Sequence, residues 1–219
     1  MPAGAPPATA VSAPVVSSAV ATTVRSATAD DVAPLGAVLG RAFADDPIWR
    51  WIYPQPDRSR RLRRMFRALL AVSLARGATV LTDEARAGAA IWQRSDDRDL
   101  GLVGNARMGA AMVVSRARLR RGQTVIREIE RRHPRHPLHW YLSVLGTDPA
   151  HQGTGVGSAL VRHVLDDPAN AGEAAYLETA TEANVPFYRR FGFEVVGELD
   201  VPGGGPHLWL MWREPPGPA

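Results

Sequence analysis

Gly153, Gly155 and Gly157 alternate with other residues between two apolar runs, and this is the most chemically informative spacing in the 219-residue chain. Ahead of them, Leu138 to Leu145 is rich in aromatic and aliphatic residues and reads as a buried strand. Gly146 to Gln152 turns, with Asp148-Pro149 as a breaker. Behind them, Val156, Leu160, Val161, Val164 and Leu165 follow a helical period. A glycine-rich turn between a strand and a helix start is an anion site. Backbone free of side chains lets amide N–H groups approach a phosphate, and the helix dipole adds positive potential.

A P-loop would close this turn on Gly-Lys-Ser/Thr, whereas here it closes on Gly157-Ser158. The dinucleotide fingerprint wants G-x-G-x-x-G, and the spacing here is G-x-G-x-G. Gln152-Gly153-Thr154-Gly155-Val156-Gly157 instead matches the pattern Q/R-x-x-G-x-G/A position for position. In this it resembles the GNAT acyltransferase superfamily. A second segment, Asn184-Val185-Pro186-Phe187-Tyr188-Arg189-Arg190-Phe191-Gly192-Phe193, is similar to a shortened form of that family's downstream motif. The order between the two, through a helix and a strand at Ala174–Thr179, also agrees. A narrower likeness, to the puromycin N-acetyltransferase branch, is carried by His139-Trp140-Tyr141-Leu142, Tyr176-Leu177-Glu178-Thr179 and Gly205-Pro206 with Trp209-x-Met211. These similarities cover about the C-terminal third to half of the chain. The N-terminal half, from which the family builds its acceptor pocket, is similar mainly in style, with Ala42 to Pro47 its clearest patch.

The resemblance implies an α/β (α+β) GNAT fold and transfer of an acetyl group from acetyl-CoA to an amine, by direct attack in a ternary complex. It places backbone groups of Val144, Leu145 and Gly146 along the pantetheine and thioester. It gives the pyrophosphate to the turn formed by Gln152, Gly153, Thr154, Gly155, Val156, Gly157 and Ser158. Asn184 and Phe187 are expected on the pantetheine side, and Tyr188 beside the sulfur as general acid; an unperturbed phenol pKa near ~10 suits donation to a thiolate. Asn184 also fits a helix N-cap. The base is less determined. Glu178, on the strand ahead of the second segment, is the first candidate. His139 and Tyr141, which share a strand face by period-two alternation, are others. Asp46 is a candidate for binding an acceptor cation, and His207 has no assigned role.

These groups need a scaffold, and the rest of the chain supplies its pattern. Thr22–Ser26 reads as a strand, and Thr28-x-x-Asp31 opens a helix to about Phe43 that Asp45-Asp46-Pro47 ends. Ile48 to Tyr53 is dense in aromatics, which serve either as core or as a wall of the acceptor pocket. Arg58–Arg76 carries a helical apolar stripe, and Ala78–Thr82 and Ala87–Trp92 read as two strands. Helices are expected within Asp96–Arg121 and at Thr124–Arg132. Strands follow at Ala174–Thr179, Glu194–Glu198 and Leu208–Trp212, with a short helix at Val185–Arg190 between the first two. The sum is a mixed central sheet of about seven strands flanked by helices.

Residues 1–21 are mostly Ala, Pro, Ser and Val, without a charged side chain, and read as a disordered tail without a signal-peptide pattern. Residues 22–213 read as one domain and 214–219 as a disordered end. An apolar content of 45% and a charged content of 22% are those of a globular domain. The absence of cysteine removes disulfides, thiolate metal sites and a cysteine acyl-enzyme, and fits a cytoplasmic location. The net charge is only +4, and the arginine-rich pieces Arg58–Arg67 and Arg116–Arg121 read as solvated helix faces, so no nucleic-acid partner is expected. No apolar run suits a membrane span. No metal is expected either, because His133-x-x-His136 is interrupted by Pro134 and followed by Pro137, and no ligand cluster appears. The expected partner is a small-molecule amine, and the expected state a monomer or homodimer. Two other readings stay open: acetylation of a protein or peptide amine, and a non-catalytic coenzyme A-binding regulatory domain.

Overall fold

The computed structural model describes residues 22–97 and 101–215. The expected N-terminal tail, and residues 216–219 of the expected C-terminal end, lie outside the described residues. Seven strands form one sheet in the order β1-β2-β3-β4-β5-β7-β6. They are β1 (Val24–Ser26), β2 (Thr79–Asp83), β3 (Gly88–Arg94), β4 (His139–Thr147), β5 (Ala174–Thr179), β6 (Glu194–Asp200) and β7 (His207–Arg213). Every neighbouring pair is antiparallel except β4 with β5. A parallel pair needs a crossover, and α6 (Val156–Leu165) supplies it.

One face of the sheet is covered by α1 (Val32–Ala42) and α3 (Arg58–Ala75). Leu35, Leu39, Leu62, Met65, Phe66 and Leu70 of these helices pack with Ile91, Val144, Tyr176 and Leu208. The apolar stripe read in Arg58–Arg76 is the buried face of α3. On the other face, Val156, Leu160, Val161, Val164 and Leu165 of α6 pack with Val185 and Tyr188 of α7 (Val185–Arg189) and with Phe193. Two further helices, α4 (Gly101–Val114) and α5 (Leu119–Arg132), occupy the region read as a loop with helices, and α5 begins five residues earlier than expected. No described helix is long and apolar enough to cross a membrane.

The start of α1 follows the capping residues. Thr28 and Asp31 form a capping box around a single 3-10 turn, with Thr28 N donating to Asp31 Oδ2 at 2.8 Å. Asp31 is 1% exposed and also takes hydrogen bonds from Arg25 and Arg86, so these guanidiniums hold its carboxyl well below the usual carboxylate range. At the other end, Asp46 does more than stop α1. Its Oδ1 accepts from Ile48 N at 2.9 Å and Trp49 N at 3.2 Å, which caps α2 (Pro47–Ile52) with proline at its first position. The aromatic run is therefore helical. Trp49 packs edge-on to Phe66 on the core side, while Trp51 lies under the Arg121 guanidinium. His207 pairs across the β6–β7 hairpin with Asp200 at 2.8 Å, which raises its pKa.

Close approach of α1 to α3 depends on Gly40. A Cβ there would sit 2.8 Å from Arg63 N and 2.8 Å from Ser59 O, and backbone cannot move aside cheaply. Gly40→Ala is expected to cost about 1–3 kcal/mol in urea unfolding, as overpacking does. Gly109→Ala, where an added Cβ meets nothing within 4 Å, is the control and should be neutral or stabilising by up to about 1 kcal/mol.

Candidate active site

Strands β4 and β5 pair only at His139–Ala174, Trp140–Ala175 and Tyr141–Tyr176. Beyond these, β4 stays on β3 as far as Thr147 and β5 stays on β7 as far as Thr179, but no ladder joins the two. The second half of β4 thus presents backbone N–H and C=O groups toward the gap, and such groups want partners. A bulge prepares this stretch. Ile91 faces Val144 while Trp92 faces Leu142, so Ser143 is the extra residue, and its Oγ donates to Ile91 O at 3.1 Å. One extra residue swaps the faces: Val144 joins the α1 side, and Leu145 the α6 side.

The gap opens into a cleft of about 600 Å³, a size that suits a small ligand or part of a larger one. Its floor is Leu145, Gly146 and Thr147, and one wall is the glycine turn from Gln152 to Ser158 apart from Thr154. Gly153 and Gly155 have φ of +78° and +95°, and Gly155 is the N-cap of α6. Only glycine adopts such backbone freely. The turn is tied down from outside: Asp148 caps its first 3-10 turn through Ala150 N, and Arg41 of α1 binds the same carboxylate, holding its pKa low. Gly146 brings β4 against α1, since a Cβ there would lie 2.7 Å from Leu39 and 2.9 Å from Phe43.

The opposite wall is Asn184, Phe187, Tyr188 and Arg190, at and around α7. Asn184 precedes α7 but makes no capping bond with its side chain, whose Nδ2 instead donates to Thr179 Oγ1 at 3.3 Å. Tyr188 is 7% exposed and makes no hydrogen bond to a described residue through its hydroxyl. Burial, reinforced by the Asp46 carboxylate, pushes this phenol well above its ordinary value, so it stays protonated at any physiological pH. Asp46 lines the cleft with Ala42, Phe43 and Asp45, from the end of α1. Its carboxyl is raised to about 6 by burial, against the pull of the Trp49 and Ile48 amides.

Most of the anticipated residues therefore meet in one place: Leu145, Gly146, the glycine turn, Asn184, Phe187 and Tyr188. Val144 does not line the cleft, because the bulge turns its side chain into the α1-side core. Thr154 is exposed on the turn, its hydroxyl donating to His151 O at 2.7 Å. Glu178 also stands outside the lining. It lies among His133, Tyr141 and Tyr176, with Oε2 accepting from Tyr141 at 2.9 Å and Oε1 facing His133 Nδ1 at 3.7 Å. His139 joins that cluster, with Nδ1 2.8 Å from Pro137 O and Nε2 3.1 Å from His133 Nε2. Arg190 was not singled out from sequence. It follows the motif's tyrosine by two residues, stacks over Phe187 at 5.0 Å and brings the cleft a fixed positive charge. Among the described residues no group of three or more His, Asp and Glu could hold a metal ion.

The cleft thus combines amides and a helix dipole for phosphates, an unpaired strand edge for amide groups of an extended arm, and a phenol and a carboxylate in its lining. Coenzyme A has phosphates at one end and an amide-bearing arm at the other, and this donor set suits both. Comparison with known proteins identifies the family. Residues 81–195, more than half of the chain, match the family model for an acetyltransferase (GNAT) domain. The chain is 40% identical over 63 residues to the N-alpha-acetyltransferase RimI of Mycobacterium tuberculosis, covering 28% of this chain and 39% of RimI. It is 38% identical over 82 residues to the uncharacterized protein ML0378 of Mycobacterium leprae, covering 36% of this chain and 22% of that one. These matches span well under half the length of either relative. A solved Corynebacterium glutamicum structure, described as histone acetyltransferase HPA2 and related acetyltransferase, is similar over 90% of this chain and 98% of its own, at TM-score 0.64 and 29% identity. The chain belongs to the GNAT family of N-acetyltransferases, enzymes that take the acetyl group from acetyl-CoA.

Proposed function

We propose that the protein acetylates the primary amine of a small molecule, by direct attack of the amine on acetyl-CoA held in the 600 Å³ cleft. The observation that carries this is the juxtaposition of the glycine turn, the unpaired second half of β4 and the Tyr188 side chain around one opening. A thioester is already activated, so a covalent enzyme intermediate is not required; placement of a neutral amine against the carbonyl supplies most of the rate. The turn's amides and Arg190 take the pyrophosphate. The β4 edge at Val144 to Gly146 pairs through backbone with the pantetheine arm, which is compatible with Val144 turning its side chain away. Tyr188 holds a proton where the thiolate departs, and donates as negative charge builds on sulfur. It is a neutral phenol, as a free tyrosine also is at neutral pH, and so does not repel that charge, while burial makes it a weaker acid than a free phenol.

The acceptor class rests on the narrower resemblance to the puromycin N-acetyltransferase branch. A second reading has a specific support, the partial match to a relative named as an N-alpha-acetyltransferase, and makes the acceptor a peptide α-amine. Release of coenzyme A in the presence of puromycin, 2-phenylethylamine, spermidine and the dipeptide Ala-Phe decides between them. Turnover with one of the first three and none with the dipeptide is expected, and turnover with the dipeptide alone would overturn the small-molecule reading.

Two substitutions test the machinery. Gly155→Asp should weaken acetyl-CoA binding about 100-fold by calorimetry, through charge repulsion and a strained positive φ. Gly155→Asn, uncharged and more tolerant of that backbone, should lose distinctly less. Equal affinity in wild type and the folded aspartate variant would remove the turn from the cofactor site. Tyr188→Phe should lower kcat about 100-fold or more, as loss of a general acid does, with acetyl-CoA affinity changed less than twofold.

A further inference from the structure

We propose that Asp46 is the group that receives the acceptor's ammonium and takes its proton, which makes the acceptor a primary alkylamine that arrives as a cation. This rests on the transferase reading above and names the base that the reading leaves open. Three carboxylates are candidates by position, and their surroundings separate them: the Asp45 side chain is 97% exposed, with the Arg58 guanidinium 4.0 Å away. Glu178 has both oxygens turned into the cluster with Tyr141 and His133 and does not line the cleft. Asp46 spends one oxygen, Oδ1, on capping α2, while Oδ2 has no hydrogen-bond or ion-pair partner among the described residues. The side chain lines the cleft that Tyr188 also lines.

The place of Asp46 in the chain adds a route. The next residue, Pro47, lines a second opening with Trp51, Arg121 and the hairpin turn at Pro206. One peptide unit therefore borders both openings. An amine entering between α2 and the β6–β7 hairpin would meet Asp46 before it reached the thioester. Burial raises both groups, so the cleft holds a phenol that stays protonated and a carboxyl that ionises at about 6, one able to give a proton and the other to take one.

The proton count closes as follows. Asp46 Oδ2 takes one proton from R–NH3+, leaving R–NH2, and passes that proton to solvent. The nitrogen lone pair then forms the C–N bond at the thioester carbonyl. As the C–S bond breaks, the second N–H proton goes to Asp46 and the thiolate takes the Tyr188 proton. Transfer from Asp46 back to Tyr188 through solvent restores both groups. The net change is ammonium plus thioester giving amide, thiol and one proton.

The charged and titratable groups around Asp46 are Asp45, Arg58 of α3 at 4.0 Å from Asp45, Tyr188 and Arg190 at α7, and His151 before the glycine turn. Of these His151 needs its own control. The test is the pH profile of kcat/KM with 2-phenylethylamine, spermidine and Ala-Phe at saturating acetyl-CoA, in wild type, Asp46→Asn and His151→Gln. An Asn side-chain oxygen still caps α2, and acetyl-CoA affinity and thermal midpoint report that the fold is kept. In wild type, activity should rise with pH through about 6, because the base works only when ionised. In Asp46→Asn that limb should vanish and kcat/KM fall about 100-fold, while acetyl-CoA affinity stays within twofold. The limb should persist in His151→Gln. A limb near pH 6 that survives in Asp46→Asn, or that disappears in His151→Gln, overturns the assignment. Failure of the wild type to bind acetyl-CoA, or to release coenzyme A with any of the three amines, overturns the transferase reading itself.

Discussion

A parallel pair of strands that begins together and then parts is the constraint from which the site follows. Three residue pairs hold β4 to β5, and past them each strand is kept in place by its other neighbour. Two separate cores, one under α1 and α3 and one under α6 and α7, cover the two faces of the sheet, and each holds strands on both sides of the opening. Everything in the cleft is arranged around that opening. The glycine turn leaves the end of β4, α7 follows the end of β5, and the end of α1 leans over both through its contact with Gly146. Closing the ladder would satisfy the backbone and abolish the site. The fold thus leaves backbone hydrogen bonding incomplete where a ligand can complete it.

Much of this was legible in the chain because local chemistry and tertiary role coincide. The glycine spacing can be read because only glycine tolerates the positive φ at Gly153 and Gly155. The α3 stripe and the α6 stripe are legible because each helix buries one face. His139 and Tyr141 do share a side, as alternation requires. The alternation then fails at Ser143. A bulge depends on pairing with β3, which no window of β4 records, so the face of Val144 could not be read from its own strand. The helix α2 was hidden for another reason: six residues hold too little of a helical period to separate it from an aromatic loop. Asp46 read as the end of one helix while being equally the cap of the next.

Long-range geometry also sorts groups that look alike in sequence. Glu178 and Asp46 are both acids near motifs, yet one is turned into a cluster of rings and the other stands on the cleft wall. Asp31 and Asp46 make a second contrast. Arginines surround the first and keep it ionised, while the second is shielded from water with only two amides to support its charge. Arg25 stands only six residues from Asp31, but Arg86 joins from 55 residues away.

The cation on the cleft wall has a chemical consequence of its own. An enzyme that sets an activated acyl group beside amines is at risk from any amine of its own within reach. Arg190 supplies positive charge to the cleft through a guanidinium, which keeps its protons at any relevant pH and is no nucleophile there. The same holds across the chain, since all 26 of its Lys and Arg residues are arginine. Its side chains can attract the phosphates of an acyl donor without becoming substrates of it. The use of arginine alone thus protects the protein from acylating its own side-chain amines.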